Sequence, residues 1–341
     1  MNTILHEVMF LNTANLIDPF GRHIDYVRIS VTDRCDFRCV YCMAEDMQFL
    51  PRAKVLSLEE LATLGESFVN LGIKRIRLTG GEPLVRRGIV DLVDRLSALP
   101  GLDEVTLTTN GSQLSKFAKP LKEAGMKRIN VSLDSLDSER FAKMTRRDML
   151  HQVLSGIDAA VAEGFEKIKL NAVVMKNYND DEILSLVDYA QQRDIDISFI
   201  EEMPLGQIQS HDRKQAYCSS DDVRQVVETA YGLLPSTDTT GGPSRYYRIP
   251  GAQGKIGFIS PHSHNFCSSC NRLRVTAEGR LLLCVGQENS VDLRAVLRRY
   301  PGESQRIEAL IRDAIIRRPE GHQFAEDDAP QVLRFMNMTG G

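Results

Sequence analysis

Apolar and polar positions along the first two thirds of the chain switch repeatedly between a strand-like period and a helix-like period. Short apolar runs predict six strands, at residues 26–31, 74–78, 104–108, 127–133, 167–174 and 196–201. Segments with helical periodicity lie between them, at residues 57–71, 87–98, 113–124, 138–144, 152–163 and 180–193. Strands that alternate with helices predict a parallel sheet with right-handed crossovers.

The number of these units and the change of pattern after them predict the fold class. Six units are too few for a closed eight-stranded barrel. We therefore expect an α/β fold, an incomplete (β/α)6 barrel of the TIM type, over residues 1–234. A stretch rich in Ser, Thr, Gly and Pro follows at 235–244. After it we expect a C-terminal α+β extension within 235–341, with strands at 245–249, 255–259, 273–276 and 280–283 and helices at 290–299 and 303–317.

Composition excludes several classes of protein. Acidic residues outnumber basic ones by 46 to 42, so the formal net charge of −4 gives no field that attracts nucleic acid. The chain has no apolar run of about 18 residues, so we expect no membrane span. The first 12 residues do not follow the pattern of a secretory signal. Seven cysteines without a signal favour the reducing cytoplasm and a metal or redox role.

The strongest chemical signal is a group of three cysteines, Cys35, Cys39 and Cys42, directly after the first predicted strand. A structural zinc site takes four protein ligands, and an electron-transfer iron–sulfur cluster normally takes four thiolates. Three thiolates on a four-iron cluster leave one iron open to a small molecule. The alternative is a zinc knuckle whose fourth ligand is distant in sequence.

Polar residues and glycines follow the other predicted strands. Gly80 and Gly81 end the second strand, where glycine permits close approach of backbone to a ligand. Thr108 and Ser132 lie at the ends of the third and fourth strands, where barrels carry their chemistry. Tyr41, between two cysteines, is either a cofactor contact or a packing aromatic.

A second group of three cysteines lies in the C-terminal extension, at Cys267, Cys270 and Cys284. His262 and His264 lie close by, so spacing alone leaves zinc and an iron–sulfur cluster equally favoured. Cys218 stands alone and is interpreted as a small core residue.

Basic residues occur where they can converge on the mouth of the barrel. Arg272 and Arg274 alternate along one predicted strand and therefore share a face. Arg28, Arg77 and Lys169 lie in other strands of the barrel. Together these cations suit a triphosphate, although each taken singly is more often a partner in a surface ion pair.

These motifs carry a resemblance to a known family. The cysteine loop followed by Gly-Gly-Glu-Pro at 80–83 resembles the radical S-adenosylmethionine (SAM) enzymes. Nearly the whole chain resembles the GTP 3′,8-cyclases of molybdenum cofactor biosynthesis, most clearly at 16–22, 26–35, 77–83, 199–204 and 266–274. The resemblance favours a cluster over zinc at the second cysteine group.

The resemblance implies two [4Fe-4S] clusters and SAM as cofactors. The first cluster falls on Cys35, Cys39 and Cys42, and the second on Cys267, Cys270 and Cys284. The SAM contacts of the family fall on Tyr41, Gly81, Ser132 and Met203. Its GTP contacts fall on Arg28, Arg77, Thr108, Lys169, Arg272, Leu273 and Arg274, and Arg272 and Arg274 are also expected to act in catalysis.

The implied reaction is a radical cyclisation that begins molybdenum cofactor biosynthesis. Cleavage of SAM supplies a 5′-deoxyadenosyl radical, which removes hydrogen from the ribose C3′ of GTP, and the carbon radical attacks C8 of guanine. The resemblance also implies an external electron donor, a product passed to cyclic pyranopterin monophosphate synthase, and a homodimer as one arrangement.

The sequence departs from the family pattern at two positions, and two other functions stay open. Ala44 replaces a common proline, and Ser198 stands where an arginine is frequent, which removes one expected substrate contact. The terminal pair Gly340-Gly341, shared with the family, is expected to enter the active site. The alternatives are a radical SAM enzyme that modifies a peptide, and a zinc-stabilised binding module without catalytic activity.

Overall fold

A computed structural model describes residues 15–322, 324 and 332–340. Its strands are β1 Leu16–Ile17, β2 His23–Ile24, β3 Tyr26–Ser30, β4 Arg75–Thr79, β5 Glu104–Thr109, β6 Arg128–Ser132, β7 Lys167–Val174, β8 Asp196–Glu201, β9 Leu234–Pro235, β10 Arg245–Arg248, β11 Lys255–Ile259, β12 Arg272–Val275, β13 Arg280–Leu282 and β14 Ser290–Asp292. Its α-helices are α1 Leu58–Asn70, α2 Ile89–Ser97, α3 Leu114–Glu123, α4 Ser138–Thr145, α5 Leu150–Ala162, α6 Ile183–Gln191, α7 Arg213–Ala216, α8 Ser220–Tyr231, α9 Leu293–Arg299, α10 Ser304–Ile315 and α11 Met336–Thr339.

One open sheet of 12 strands, counted among the described residues, organises the fold. Its order is β14-β13-β12-β3-β4-β5-β6-β7-β8-β11-β10-β9. The six predicted barrel strands, β3 to β8, are parallel neighbours in sequence order. The expected α/β fold with an incomplete barrel is therefore confirmed.

The C-terminal extension lengthens this sheet at both edges. Strand β12 pairs parallel with β3, and strand β11 pairs parallel with β8. Antiparallel pairs then continue outward, β13 and β14 on one side and β10 and β9 on the other. The two expected sequence segments thus share one sheet, and the division at residues 234 and 235 stays a prediction.

Helix α1 shows how local sequence and burial together place an element. Ser57 Oγ accepts the Glu60 amide at 3.1 Å, and the Glu60 carboxylate accepts the Ser57 amide at 2.7 Å. This reciprocal capping box satisfies two amide groups at the helix start. Leu61, Leu64 and Phe68 then form the buried stripe of the helix, which belongs to the same apolar core as the sheet.

Two helical predictions in the second half were incomplete or wrong. Helix α8 was not predicted, because Val223 and Val227 are its only buried large apolar residues. Residues 290–299 were expected to be one helix, but Ser290–Asp292 forms strand β14 against β13. Asp292 then accepts the Ala295 amide at 3.0 Å and caps α9. Strand pairing and capping therefore outweigh helical periodicity here.

No helix in the described part of the chain is long and apolar enough to cross a membrane.

Leu273 directs its side chain into the core and not toward the two arginines that flank it. It alternates with Arg272 and Arg274 along β12, is only 1% exposed and packs in the apolar core. Alternation sends its side chain to the face opposite the two arginines. The Leu273 side chain therefore does not face the arginine side of β12, and the expected contact of this residue with GTP stays a prediction.

Leu273→Ala should lower the free energy of unfolding by ~2–5 kcal/mol, because it removes a fully buried leucine side chain from the core. Urea unfolding followed by circular dichroism measures the change. Leu234→Ala is the control, since Leu234 is 56% exposed on edge strand β9 and its loss should change stability by less than about 0.5 kcal/mol. Equal effects of the two substitutions would contradict the placement of Leu273.

Candidate active site

A large cavity on the inner side of the sheet collects all the predicted site residues except Leu273. It contains about 2000 Å³ of empty space, including the part open to solvent. All six predicted cluster cysteines line it. The other predicted residues along its wall are Arg28, Tyr41, Arg77, Gly81, Thr108, Ser132, Lys169, Met203, Arg272 and Arg274.

The first cysteine loop is held by hydrogen bonds from three directions. The Arg38 and Val40 amides donate to carbonyls at the end of α4, at 2.8 and 2.9 Å. The Asp36 carboxylate accepts from Asn110 Nδ2 and Ser112 Oγ, each at 2.6 Å. The Cys42 carbonyl accepts the Met336 amide at 3.1 Å. The loop is thus shaped by the protein itself.

Gly80 and Gly81 are required by the packing of this loop. A Cβ on Gly80 would overlap the Thr32 carbonyl, and one on Gly81 would overlap the Arg34 carbonyl. The Gly81 amide donates to the Thr32 carbonyl at 2.8 Å. We expected these glycines to permit close approach of a ligand. The structure shows that they permit close packing of the glycine turn against the chain that leads into Cys35.

Glu82 is a buried carboxylate that sequence analysis did not select. It is 1% exposed and accepts from Thr109 Oγ1 at 2.7 Å, from the Asn110 amide at 2.6 Å and from the Leu84 amide at 2.9 Å. Burial raises its pKa from the ordinary 4.5 to about 7, although these donors oppose the shift. Its position directly after the glycine pair is the sequence signal that could have identified it as a site residue. Glu82 joins the ends of β4 and β5 beside the cysteine loop.

Tyr41 is anchored above the ends of β6 and β7. Its hydroxyl donates to Asp134 Oδ2 at 2.7 Å, while Asp134 Oδ1 accepts the Val173 amide at 2.9 Å. Burial raises the pKa of Asp134 to about 6. Tyr41 therefore packs in place and also lines the cavity, and its contact with a cofactor stays a prediction.

The second cysteine group lies at the opposite end of the strands from the first. Cys270 comes just before β12, whereas Cys35 comes after β3, and the two strands run parallel in register. The hairpin places Leu282 opposite Arg274, which brings Cys284 back toward Cys270. The length of β3 alone separates the groups by roughly 13 Å. The second group thus lies away from the carboxyl ends of the strands, where barrels usually carry their chemistry.

A buried ionic network supports the second cysteine group, and sequence analysis did not assign it a role. Asp18 Oδ2 accepts from Arg22 Nε at 2.6 Å and from Arg318 Nη1 at 2.5 Å. Burial opposes ionisation of Asp18, but its hydrogen bonds with Arg22 and Arg318 hold its pKa below the ordinary value. Arg318 Nη2 donates to Cys270 Sγ at 3.1 Å. Burial would raise the pKa of Cys270, but Arg272 and Arg318 lower it to about 7.

Three arginines form a row between the two cysteine groups. Arg274, Arg28 and Arg77 are register partners across β12, β3 and β4, and all three line the cavity. Burial, together with nearby Arg77 and Arg272, lowers the pKa of Arg28 to about 10. Neighbouring positive charges in a partly buried row create a site that favours an anion.

The hydroxyl groups of two tyrosines lie within hydrogen-bond distance of the predicted cations. Arg77 donates to the Tyr26 hydroxyl and, at 3.1 Å, to Thr108 Oγ1. Burial opposes ionisation of Tyr26, but Arg77 and Arg28 outweigh it and lower the pKa to about 8. Across the cavity, Lys169 Nζ donates to the Tyr246 hydroxyl at 3.2 Å. The predicted cations thus sit among aromatic hydroxyl groups.

The predicted linker at 235–244 forms part of the cavity wall. Thr240, Gly242 and Pro243 line the cavity, and Thr240 Oγ1 lies 3.0 Å from the Tyr246 hydroxyl. Ser198 is fully buried, with its Oγ 2.9 Å from Ser244 Oγ. The Ser198 side chain is therefore buried inside the fold and hydrogen-bonded to Ser244.

Each cysteine group supplies three thiols, which is the number of protein ligands on a four-iron cluster with one open iron. Among the described residues, no three His, Cys, Asp or Glu side chains are grouped to hold one metal ion. A cubane cluster binds each cysteine to a different iron and spaces its ligands further apart than one ion does. His262 and His264 use their Nε2 atoms elsewhere, with the Glu202 carbonyl at 3.0 Å and Asp221 Oδ2 at 2.8 Å. These hydrogen bonds give both histidines partners within the protein, and Cys218 is buried in the core as expected.

The C-terminal segment reaches both parts of the site. Asn337 Nδ2 donates to the Asp33 carbonyl at 3.0 Å, next to the first cysteine loop. Arg274 Nη1 donates to the Gly340 carbonyl at 3.0 Å. The expected entry of Gly340-Gly341 into the site is supported for Gly340, whereas Gly341 lies outside the described residues.

The partial barrel and the three-cysteine loop define a radical SAM enzyme. The sequence profile of the radical SAM superfamily matches residues 29–190, and that of molybdenum cofactor synthesis C matches residues 195–324. Together with the relatives described next, these matches show that the chain belongs to the GTP 3′,8-cyclase family. It therefore uses SAM and an iron–sulfur cluster.

Several bacterial relatives match almost the whole chain. The GTP 3′,8-cyclase of Ectopseudomonas mendocina (strain ymp) is 58% identical and covers 97% of this chain and 100% of its own length. That of Pseudomonas entomophila (strain L48) is 60% identical, with 97% and 99% covered. Among solved structures, Streptococcus suis SuiB bound to S-adenosylmethionine has a TM-score of 0.63 at 16% identity, covering 94% of this chain and 78% of SuiB. This last likeness concerns the fold alone.

Glu82→Gln should flatten the pH dependence of stability between about pH 4.5 and 7. The folded-state pKa of Glu82 is raised, so the unfolded chain releases this proton first and its contribution to stability is lost as pH rises through that interval. Urea unfolding of the metal-free chain at three pH values measures the slope. The exposed Glu123→Gln is the control, and an unchanged slope in Glu82→Gln would contradict the buried-acid assignment.

Proposed function

We propose that this chain binds GTP and SAM in the one cavity and converts GTP to (8S)-3′,8-cyclo-7,8-dihydroguanosine 5′-triphosphate. This is the reaction for which its relatives are named, and it is the first step of molybdenum cofactor biosynthesis. The observation that carries the proposal is the arginine row of Arg274, Arg28 and Arg77, which lies between two three-cysteine groups.

The arginine row favours a polyphosphate over a neutral substrate. Guanidinium groups bind phosphate oxygens in pairs, and Arg272 and Lys169 add positive charge to the same cavity. Positive charges held this close repel one another, and a bound anion offsets that repulsion. A triphosphate supplies that charge and would place the nucleoside between the two cysteine groups.

We assign a [4Fe-4S] cluster to each cysteine group, the first to bind SAM and the second to bind the purine of GTP. When bound and reduced, the first cluster supplies the electron that cleaves SAM. Tyr41, Gly81, Ser132 and Met203 surround the space beside the first group and would hold SAM. Thr108 and the cations would hold GTP with its ribose toward SAM, and Arg272 and Arg274 would keep it in place during cyclisation.

The same chemistry sets the partners that we propose. An external reductant must supply electrons to the first site, and the product would pass to cyclic pyranopterin monophosphate synthase. The described cysteines are all free thiols, which favours a reducing compartment such as the cytoplasm. We also propose a homodimer, which measurement of the molecular mass in solution would test.

Modification of a peptide is the rival activity within the same fold. SuiB, whose fold is similar, has a solved structure bound to its precursor peptide SuiA, with a TM-score of 0.60 and 17% identity to this chain. A peptide has no need of an arginine row, whereas a triphosphate does. The row and the identity of about 60% to cyclases both favour GTP.

Replacing Cys35, Cys39 and Cys42 by Ala should leave about four irons per chain and abolish 5′-deoxyadenosine formation. The reciprocal variant, without Cys267, Cys270 and Cys284, should also hold about four irons but still cleave SAM. Anaerobic iron analysis and chromatography measure both quantities. Cys218→Ala should keep both clusters, and SAM cleavage by the first variant would refute the assignment.

Arg274→Ala should weaken GTP binding by ~1.5–3 kcal/mol, the scale of a hydrogen bond to a charged group. SAM affinity should be retained, because the proposed SAM contacts lie at or after the ends of other strands and not on β12. Anaerobic calorimetry of the loaded protein measures both affinities. Arg245→Ala, on the exposed side of β10, is the control. Equal losses for GTP and SAM would indicate a structural role for Arg274.

A further inference from the structure

The buried network of Asp18, Arg22 and Arg318 contacts the chain at every cysteine of the second group. Arg22 Nη1 donates to the Cys267 carbonyl at 2.8 Å. Arg318 Nη2 donates to Cys270 Sγ at 3.1 Å, and Arg318 Nε donates to the Leu283 carbonyl, next to Cys284, at 3.2 Å. One ionic centre, built from residues at opposite ends of the sequence, therefore contacts the chain at or next to all three cysteines.

Arg318 is the member of the network that contacts a cysteine sulfur. It is 4% exposed, and a third acceptor, the Arg272 carbonyl, lies 3.3 Å from Nη2. Its remaining nitrogen, Nη1, is paired with Asp18, whose side chain is fully buried. Because the guanidinium is planar and every donor is directed at a different partner, the geometry of the N–H···S contact is fixed by the surrounding chain.

The network also carries a net positive charge beside the second group. Two arginines share one carboxylate, so one positive charge remains uncompensated within the three residues. A cluster on three thiolates gains negative charge when it is reduced. Positive charge and hydrogen bonds to sulfur stabilise the reduced state and raise the reduction potential of an iron–sulfur site.

We propose that Arg318 is a positioning residue of the second iron–sulfur site and holds it at a more positive reduction potential through its N–H···S contact with Cys270 and its charge. This inference rests on the proposed second cluster. A more positive potential would let this site accept an electron that the first site, which must be strongly reducing to cleave SAM, can supply. The residue does not contact substrate and acts through Cys270.

The test uses the full-length chain in which Cys35, Cys39 and Cys42 are replaced by Ala, so that only the second site holds iron. Arg318→Gln, Arg318→Lys and the neighbouring Arg317→Gln are compared in this background. Arg317 is the matched control, because its side chain is 56% exposed and pairs with Asp313 on the surface. Iron per chain is measured first, and the midpoint potential follows from a redox titration monitored by electron paramagnetic resonance.

Arg318→Gln should reduce the reduction equilibrium constant at least tenfold, a negative shift of about 59 mV for a one-electron couple. Arg318→Lys should give a smaller negative shift, because the ammonium keeps the charge but lacks the fork of donors. If Arg318→Gln loses iron, the Lys variant supplies the measurement. An unchanged potential in every variant that keeps iron, or an equal shift in Arg317→Gln, would overturn the inference. Absence of iron before Arg318 is changed would instead refute the second cluster itself.

Discussion

The parallel pairing of β12 with β3 is the constraint on which the site depends. It places Cys270 at the amino end of the paired strands and Cys35 beyond their carboxyl end, and both cysteines line one cavity. The same register puts Arg274 beside Arg28, and the next pairing puts Arg28 beside Arg77. A slip by one residue would turn both arginines of β12 toward the apolar core and bring Leu273 to the cavity.

Buried charge is concentrated at the two ends of the cavity in different ways. Near the first cysteine loop, Glu82 and Asp134 are acids whose pKa values are raised by burial, and they fix the strand ends. Near the second group, Arg22 and Arg318 surround one acid and leave positive charge. Between them lies the arginine row. Buried acids thus support the first cysteine loop, and positive groups line the cavity from the arginine row to the second cysteine group.

Much of this arrangement could be predicted from sequence, because strand alternation and cysteine spacing are local signals. The six barrel strands were found in this way, and the two groups of three cysteines found by spacing line one cavity together with Arg272 and Arg274, which share a face of β12 as predicted. The network around Arg318 could not be found, since its partner Asp18 lies 300 residues away and neither residue belongs to a periodic motif. The location of the second group at the far end of the strands depended on which edge β12 joins, which local patterns do not encode.

The central claim is that one cavity brings the ribose of GTP to SAM beneath the first cysteine loop. The most direct measurement uses GTP deuterated at ribose C3′, with the iron-loaded enzyme, SAM and a reductant under anaerobic conditions. Mass spectrometry should find deuterium in 5′-deoxyadenosine together with the cyclised nucleotide. Unlabelled 5′-deoxyadenosine with unchanged GTP would contradict the claim, because SAM would then be cleaved without GTP in reach.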